Sequence, residues 1–161
     1  MIKKISPLAP KNFPKLPLVK GVTMGTAKSG TKYKGRKDIF TAIFEKGTAV
    51  AGAFTQSDIR AEPVEFCKKN IIDGSARVLA VNAGFANAFT GEKGKKINKS
   101  ICSNIKKIIK CREKDIFICS TGVIGENIPL RPTNKAFSQS LKIEEHKWES
   151  AAKSIMTTDT F

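Results

Sequence analysis

The sequence has few of the residues that commonly carry metal or acid–base chemistry. It contains a single histidine, His146, and four cysteines, none of which stands in a C-x-x-C arrangement. These five residues match no zinc-binding pattern. A Ser-His-Asp triad would have to use His146. Because His146 stands in a charged segment, we expect it to face solvent. We also expect reduced, mostly structural thiols and no metal site.

Nucleotide-binding and membrane-spanning patterns are missing as well. The sequence has no G-x-x-x-x-G-K-[ST] loop and no strand-linked G-x-G-x-x-G, so nothing in it supports a bound dinucleotide or other cofactor. No apolar run approaches the ~20 residues of a membrane helix. Pro7 and Pro10 stand where a signal peptide would have its apolar core. We therefore expect a cytoplasmic protein without membrane contact.

The strong positive charge allows two interpretations. The formal net charge is +15, which is compatible with a nucleic-acid-binding module that uses the lysine face of residues 95–110. However, the ten phenylalanines lie mainly in apolar runs and not as exposed stacking platforms. A lysine-rich enzyme surface explains the charge about as well and would favour anionic substrates such as amino-acid carboxylates. We expect no nucleic-acid partner and keep the binding module as an alternative.

The first half of the chain has β-prone segments. Residues 38–44 and 48–54 are apolar runs joined through Glu-Lys-Gly at 45–47, a pattern that predicts a β-hairpin. Pro63 follows in an Ala-Glu-Pro-Val segment and cannot donate to a central ladder. We therefore expect the β region to end there.

Strand and helix patterns alternate in the second half. Residues 77–82 and 115–119 are predicted to form buried strands. Isoleucines recur at helical spacing over residues 95–110, with lysines between them, which predicts an amphipathic helix. Further helices are predicted after Pro132 and over residues 144–155.

This alternation predicts an α/β fold with a mixed sheet. Residues 1–20 contain four of the seven prolines, which favours an extended N-terminal arm over a helix. Residues 21–161 are predicted to form one domain.

The segment Ser120-Thr121-Gly122 is the best candidate for a reactive site. A strand that ends in a small, polar turn directs backbone N–H groups past the sheet, and glycine lets the backbone approach a ligand closely. Together with a threonine hydroxyl, such N–H groups can form an oxyanion hole. Taken alone, the spacing is more typical of an ordinary strand-to-turn junction. Asn82 and Asn87 could line a pocket, although asparagines more often stabilise turns.

Several segments in order resemble the ornithine acetyltransferase family. The resemblance is carried by residues 52–55, 61–64, 82–91, 120–125 and 156–160, and it covers roughly residues 17–161. Ser-Thr-Gly-Val-Ile-Gly and Met-Thr-Thr-Asp-Thr are its most specific pieces. The chain departs from the family in having Phe85 where asparagine is usual and Phe89 where cysteine is common, which bears on the shape of the pocket.

The resemblance implies a fold and a reaction. The fold is a layered, mixed-sheet sandwich of the N-terminal-nucleophile-like type, incomplete without a second, β chain. The reaction moves an acetyl group from N2-acetylornithine to glutamate in arginine biosynthesis, through an acetyl-threonine enzyme. Some members also accept acetyl-CoA as the donor. A hydrolase with aminopeptidase-like chemistry on the same scaffold is a further alternative.

The family's roles transfer to four residues of this sequence. Thr121 and Gly122 would form the oxyanion hole, and Thr157 and Thr158 would contact the substrate. The resemblance places the nucleophilic threonine beyond residue 161, at the start of a β chain released by self-cleavage. Family members usually assemble as α2β2 heterotetramers. We therefore expect residues 21–161 to be most of an α chain, truncated before the cleavage site, inactive and poorly soluble alone.

Overall fold

A mixed four-stranded sheet organises the chain. The computed structural model describes residues 14–159, together with Pro7 and Asn12. Its strands are β1 (Val22–Ala27), β2 (Ile39–Phe44), β3 (Val78–Phe85) and β4 (Ile116–Val123). Its α-helices are α1 (Glu62–Asn70), α2 (Gly91–Ile109), α3 (Leu130–Ser140) and α4 (Trp148–Ile155). Much of the predicted N-terminal arm lies outside the described residues, and residues 14–19 form neither helix nor strand.

The strands follow one another across the sheet in sequence order. β1 pairs with β2 and β2 with β3 in antiparallel fashion, whereas β3 and β4 are parallel. A parallel pair needs a long crossover, which α2 supplies. The predicted α/β class with a mixed sheet is confirmed.

Helices cover both faces of the sheet. On one face, Ile101 and Ile105 of α2 and Phe137 of α3 pack against Val78 and Ile116 in the main core. The buried isoleucines lie on one side of α2, and its lysines are exposed to solvent, as the spacing predicted. On the other face α4 packs over β1, β2 and β3. This second layer positions the C-terminal end of α4 close to β4.

The predicted hairpin is wrong. Residues 48–54 form no strand and make one isolated bridge, between Ala49 and Ser75. β2 instead pairs with β1 on one side and β3 on the other, and Gly25 of β1 allows α3 to come very close. A Cβ at Gly25 would overlap the carbonyl oxygen of Ser140. Packing therefore requires glycine at this position, although glycine weakens the strand pattern in the sequence.

One additional helix and one helix boundary also differ from the sequence-based expectation. Pro63 lies in the first turn of α1, where its missing N–H needs no partner, so it belongs to a helix that the sequence did not predict. The last helix begins at Trp148 and not at residue 144. The preceding segment is bound to the sheet, because the Glu145 N–H donates to the carbonyl of Met24 at 2.7 Å.

Candidate functional site

A cleft of about 780 Å³ lies between β4 and the C-terminal end of α4. Three of the four predicted site residues, Thr121, Thr157 and Thr158, line it. The complete lining is Val81, Cys119, Ser120, Thr121, Glu149, Ala152, Lys153, Ile155, Met156, Thr157, Thr158 and Asp159. The fold thus brings together two segments, residues 120–125 and 156–160, that the family resemblance selected.

Strand alternation directs Thr121 to this cleft. Successive side chains of a strand point to opposite faces, so Thr121 shares a face with Cys119 and, across the β3–β4 register, with Val81. Val81 packs in the core layer beneath α4. The Thr121 hydroxyl therefore lies on the side of the sheet where α4 ends.

The end of α4 is fixed by a turn and by an arginine. Met156 leaves the helix in an extended conformation, and its carbonyl accepts a hydrogen bond from Arg36. The Thr157 N–H donates to the Asp159 carboxylate at 3.0 Å, which lowers the pKa of Asp159. Together these bonds hold Thr157 and Thr158 against the cleft.

Gly122 differs from the expectation, because it lies within a strand and not in a turn. β4 continues to Val123, and Gly122 pairs with Gly84 of β3. Its φ of 138° is a conformation that favours glycine. A Cβ at Gly122 would lie 2.5 Å from the Gly84 carbonyl oxygen. Gly122 is not among the lining side chains, so its contribution to the cleft would come from its backbone.

The direction of the Gly122 N–H follows from the hydrogen bonds of β4. The carbonyls of Ile116 and Ile118 accept bonds from α1, on the side of β4 that faces away from β3. Backbone groups alternate along a strand, so the N–H of Gly122 also points away from β3. The N–H of Thr121 points towards β3. These directions leave the Gly122 N–H outside the hydrogen bonds between β3 and β4.

The candidate asparagines are structural. Asn82 is buried, accepts a hydrogen bond from the Ser120 hydroxyl at 2.7 Å and donates to the Phe85 carbonyl at 2.9 Å. Asn87 is fully buried and donates to the side chain of Asn98 at 2.9 Å. The Ser120 bond joins β3 to β4, and the Asn98 bond joins the segment after β3 to α2. Neither asparagine lines the cleft.

The two phenylalanines that depart from the family pattern have different surroundings. Phe85 is buried in the main core, and the Lys32 ammonium lies 5.6 Å from the centroid of its ring. Phe89 is 79% exposed and has a φ of 57°, which is uncommon for a bulky residue. Neither lines the cleft.

Three charged side chains and one thiol of the cleft were missed by sequence reasoning. Glu149 and Lys153 form an ion pair one helical turn apart on α4, and Asp159 lies in the following turn. Cys119 lies on the wall, and a hydrogen bond from the Cys67 thiol lowers its pKa to about 7. Cys119 stands two residues before Thr121, at the end of a predicted strand. That spacing could have placed the two side chains on one face from the sequence alone. His146 is exposed, as expected, and does not line this cleft.

Membrane and metal features can be assessed in the part of the chain that the structure describes. None of its helices combines the length and apolar character needed to cross a membrane. Within the same ranges, no three histidine, cysteine or acidic side chains are grouped so that they could hold a metal ion.

Comparison with curated proteins identifies close relatives in bacteria. The arginine biosynthesis bifunctional protein ArgJ of Mesorhizobium japonicum is 46% identical over 164 residues, an alignment that covers 100% of this chain and 39% of that protein. The ArgJ protein of Agrobacterium fabrum is 45% identical, with coverage of 98% and 38%. This chain therefore spans about two fifths of the length of these relatives.

Solved structures agree with the sequence comparison. The arginine biosynthesis bifunctional protein ArgJ of Bacillus halodurans superposes with a TM-score of 0.80 at 27% identity, covering 88% of this chain and 75% of that one. The ornithine acetyltransferase of Mycobacterium tuberculosis, solved in complex with ornithine, gives a TM-score of 0.78 at 25% identity, with coverage of 88% and 78%. The sequence model of the ArgJ family matches residues 23–161. The chain belongs to the ArgJ family.

Proposed function

We propose that this chain is part of an acetyltransferase that moves the acetyl group of N2-acetylornithine to glutamate in arginine biosynthesis. The observation that carries the proposal is the shared cleft of Thr121, Thr157 and Thr158 in a chain of the ArgJ family. The ornithine found in the M. tuberculosis relative supports an amino acid of this class as a ligand.

In this proposal, Thr121 and Gly122 stabilise the negative charge of the reaction. Attack on the acetyl carbonyl places a developing oxyanion on its oxygen. The Thr121 hydroxyl and the Gly122 N–H donate hydrogen bonds to that oxygen, and each preorganised donor of this kind typically contributes a few kcal/mol to the transition state. Because Gly122 is held against Gly84, its N–H needs little reorganisation as charge develops.

The substrate is held by the opposite wall. Thr157 and Thr158 offer hydroxyl groups, and the cleft has side chains of both signs at Lys153 and Asp159. This combination suits a zwitterionic amino acid, whose carboxylate and ammonium groups need partners of opposite charge.

The nucleophile is supplied by the remainder of the protein. The family resemblance assigns it to the N-terminal threonine of a β chain that self-cleavage releases. Its own α-amino group acts as the base, so no histidine is required. The threonine forms an acetyl-enzyme, ornithine leaves, and glutamate then takes the acetyl group. Acetyl-CoA is a candidate second donor. The α and β chains remain together as an α2β2 assembly.

Transfer of a labelled acetyl group tests this function. Residues 1–161 alone and the protein expressed from its complete natural gene are incubated separately with acetyl-labelled N2-acetylornithine and glutamate. We expect labelled N-acetylglutamate from the complete protein, and none from residues 1–161. A folded complete protein that forms no labelled product, with acetylornithine or acetyl-CoA as donor, would overturn the proposal.

A further inference from the structure

The wall of the cleft carries a thiol that has no role in the proposed acetyl transfer. Cys119 is exposed and lies on the same face of β4 as Thr121, two residues before it. A second thiol, that of Cys67 in α1, approaches from the edge of the sheet and is 8% exposed. One cysteine is therefore accessible from the cleft, and the other lies behind it.

The Cys67 sulfur lies beside the main chain that leads into Cys119. The Cys67 Sγ donates to the Ile118 carbonyl oxygen at 3.2 Å, and that carbonyl belongs to the peptide bond that leads into Cys119. When Cys119 is ionised, the single Cys67 proton can instead be shared with the Cys119 sulfur, and this interaction is the main cause that lowers the pKa of Cys119. The Cys67 side chain is thus a close neighbour of Cys119, and a disulfide between them requires Cα atoms within about 7 Å of each other.

The four cysteines of the chain differ in acidity. The hydrogen bond from Cys67 stabilises the Cys119 thiolate and lowers the pKa of Cys119 to about 7. The same contact, together with burial, raises the pKa of Cys67. Burial raises the pKa of Cys102 to about 12 and also raises that of Cys111. At neutral pH the reactive thiolate of the set is Cys119.

We propose that Cys119 and Cys67 form a redox-sensitive pair, in which an oxidised low-molecular-weight disulfide converts the two thiols into an internal disulfide at the cleft. Neither the comparisons nor the proposed acetyl transfer assigns a role to either sulfur. The proposal stands whether or not the cleft transfers acetyl groups.

The chemistry requires two exchange steps. The Cys119 thiolate first attacks one sulfur of the small disulfide, forms a mixed disulfide and releases one small thiolate. Cys67 then loses its proton and attacks the Cys119 sulfur, which releases the second small thiolate. The two protein thiols lose two electrons and two protons, and the small disulfide gains them as two thiols.

Order and accessibility follow from the same geometry. The oxidant reaches Cys119 first, because that sulfur faces the cleft and Cys67 is buried. Once Cys119 is in a mixed disulfide, it no longer holds the negative charge that disfavours a Cys67 thiolate. The final bond would link α1 to β4 beside Thr121.

Thiol mapping on the protein expressed from its complete natural gene tests the pair. The reduced protein is treated with oxidised glutathione at pH 7 and digested without reduction, and linked peptides are identified by mass spectrometry. We expect a Cys67–Cys119 linkage, with Cys102 and Cys111 still as thiols. A stable glutathione adduct at Cys119 without the linkage, or oxidation elsewhere first, would overturn the proposal.

Alkylation rates provide a second measurement that needs no variant. At pH 7 iodoacetamide should modify Cys119 about threefold faster than an unperturbed thiol, because its larger thiolate fraction outweighs its lower nucleophilicity. The rate should have its pH midpoint near 7. Cys67→Ala removes the hydrogen-bond donor and should move that midpoint upward, whereas Cys111→Ser should leave it unchanged. A midpoint near that of free cysteine in the unaltered protein would contradict the contact between the thiols.

Discussion

Gly122 and Gly84 face each other in the parallel strands β4 and β3 so closely that a Cβ on Gly122 would lie 2.5 Å from the Gly84 carbonyl oxygen. The approach holds the backbone of Gly122 against β3, next to Thr121, which lines the cleft. Glycine is therefore required here both by the φ of 138° and by the neighbouring backbone. This explains, independently of any catalytic role, why the strand contains glycine at this position.

Gly122→Ala should destabilise the protein strongly. Gly125→Ala is the matched control, because Gly125 has a φ of 81° but no atom within 4 Å of its Cβ position. The control should lose about 1–2 kcal/mol from backbone strain, and Gly122→Ala about 1–3 kcal/mol more from the overlap. Urea unfolding of the protein from its complete gene measures both. Equal losses in the two variants would show that the β3–β4 approach is not tight.

Thr121→Ala should lower kcat for acetyl transfer by roughly 10²–10³, which is the typical effect of losing one oxyanion donor. Thr121→Ser keeps the hydroxyl and should retain most of the activity. Steady-state kinetics of the two variants separate a lost donor from a disturbed strand. An unchanged kcat in Thr121→Ala would remove Thr121 from the mechanism.

Thr157→Val should raise KM for N2-acetylornithine about 2–10-fold, the effect of losing one ordinary hydrogen bond to a substrate. The substitution keeps the shape and removes the hydroxyl, and Thr157→Ser is the control that restores it. Thr158→Val tests the neighbouring hydroxyl in the same way. If KM stays constant in both valine variants, the end of α4 does not bind the substrate.

Asp115 should make folding stability depend on pH in the acid range. The Arg112 side chain donates two hydrogen bonds to its carboxylate, at 2.7 and 3.0 Å, and Ser75 donates another at 2.8 Å. The Arg112 bonds are the main reason that the pKa of Asp115 falls to about 2. Because the folded-state pKa lies below the unfolded value of about 3.9, the stabilisation is present above pH ~4 and is lost as the pH falls through 2.

Asp115→Asn should therefore lower the free energy of unfolding at pH 7 by about 1–2 kcal/mol, reduced by solvent screening of the exposed Arg112. Its difference from the unsubstituted protein should shrink between pH 4 and pH 2. Asp58→Asn, which removes an exposed carboxylate outside this cluster, is the control. Urea unfolding across this pH range provides the comparison, and a constant difference would argue against the shifted pKa.

The sequence predicted the elements with strong, local signals. β3 and β4 begin with continuous apolar runs, at residues 78–81 and 116–119, and the isoleucines of α2 recur on one face, so burial of these residues follows from the local sequence. β1 was missed because Gly25 and its threonines give a weak strand pattern, which becomes stable through pairing with β2 and packing under α3. Helix α1 was missed because Pro63 was interpreted as a breaker, although a proline fits the first turn of a helix.

The site was predictable residue by residue but not as a geometry. The resemblance selected Thr121, Thr157 and Thr158, and the fold then brought them to one cleft. Their proximity depends on where α4 ends over the sheet, which no local pattern encodes. The direction of the Gly122 N–H and the contact between Cys67 and Cys119 likewise depend on tertiary packing against β4.

Isotope exchange tests the central claim most directly. The protein expressed from its complete natural gene is incubated with N2-acetylornithine and labelled ornithine, without glutamate. If the cleft forms an acetyl-enzyme, the first half-reaction runs in both directions, and label should appear in N2-acetylornithine at a rate that Thr121→Ala strongly reduces. A folded protein that forms no labelled N2-acetylornithine would contradict acetyl transfer through such an intermediate.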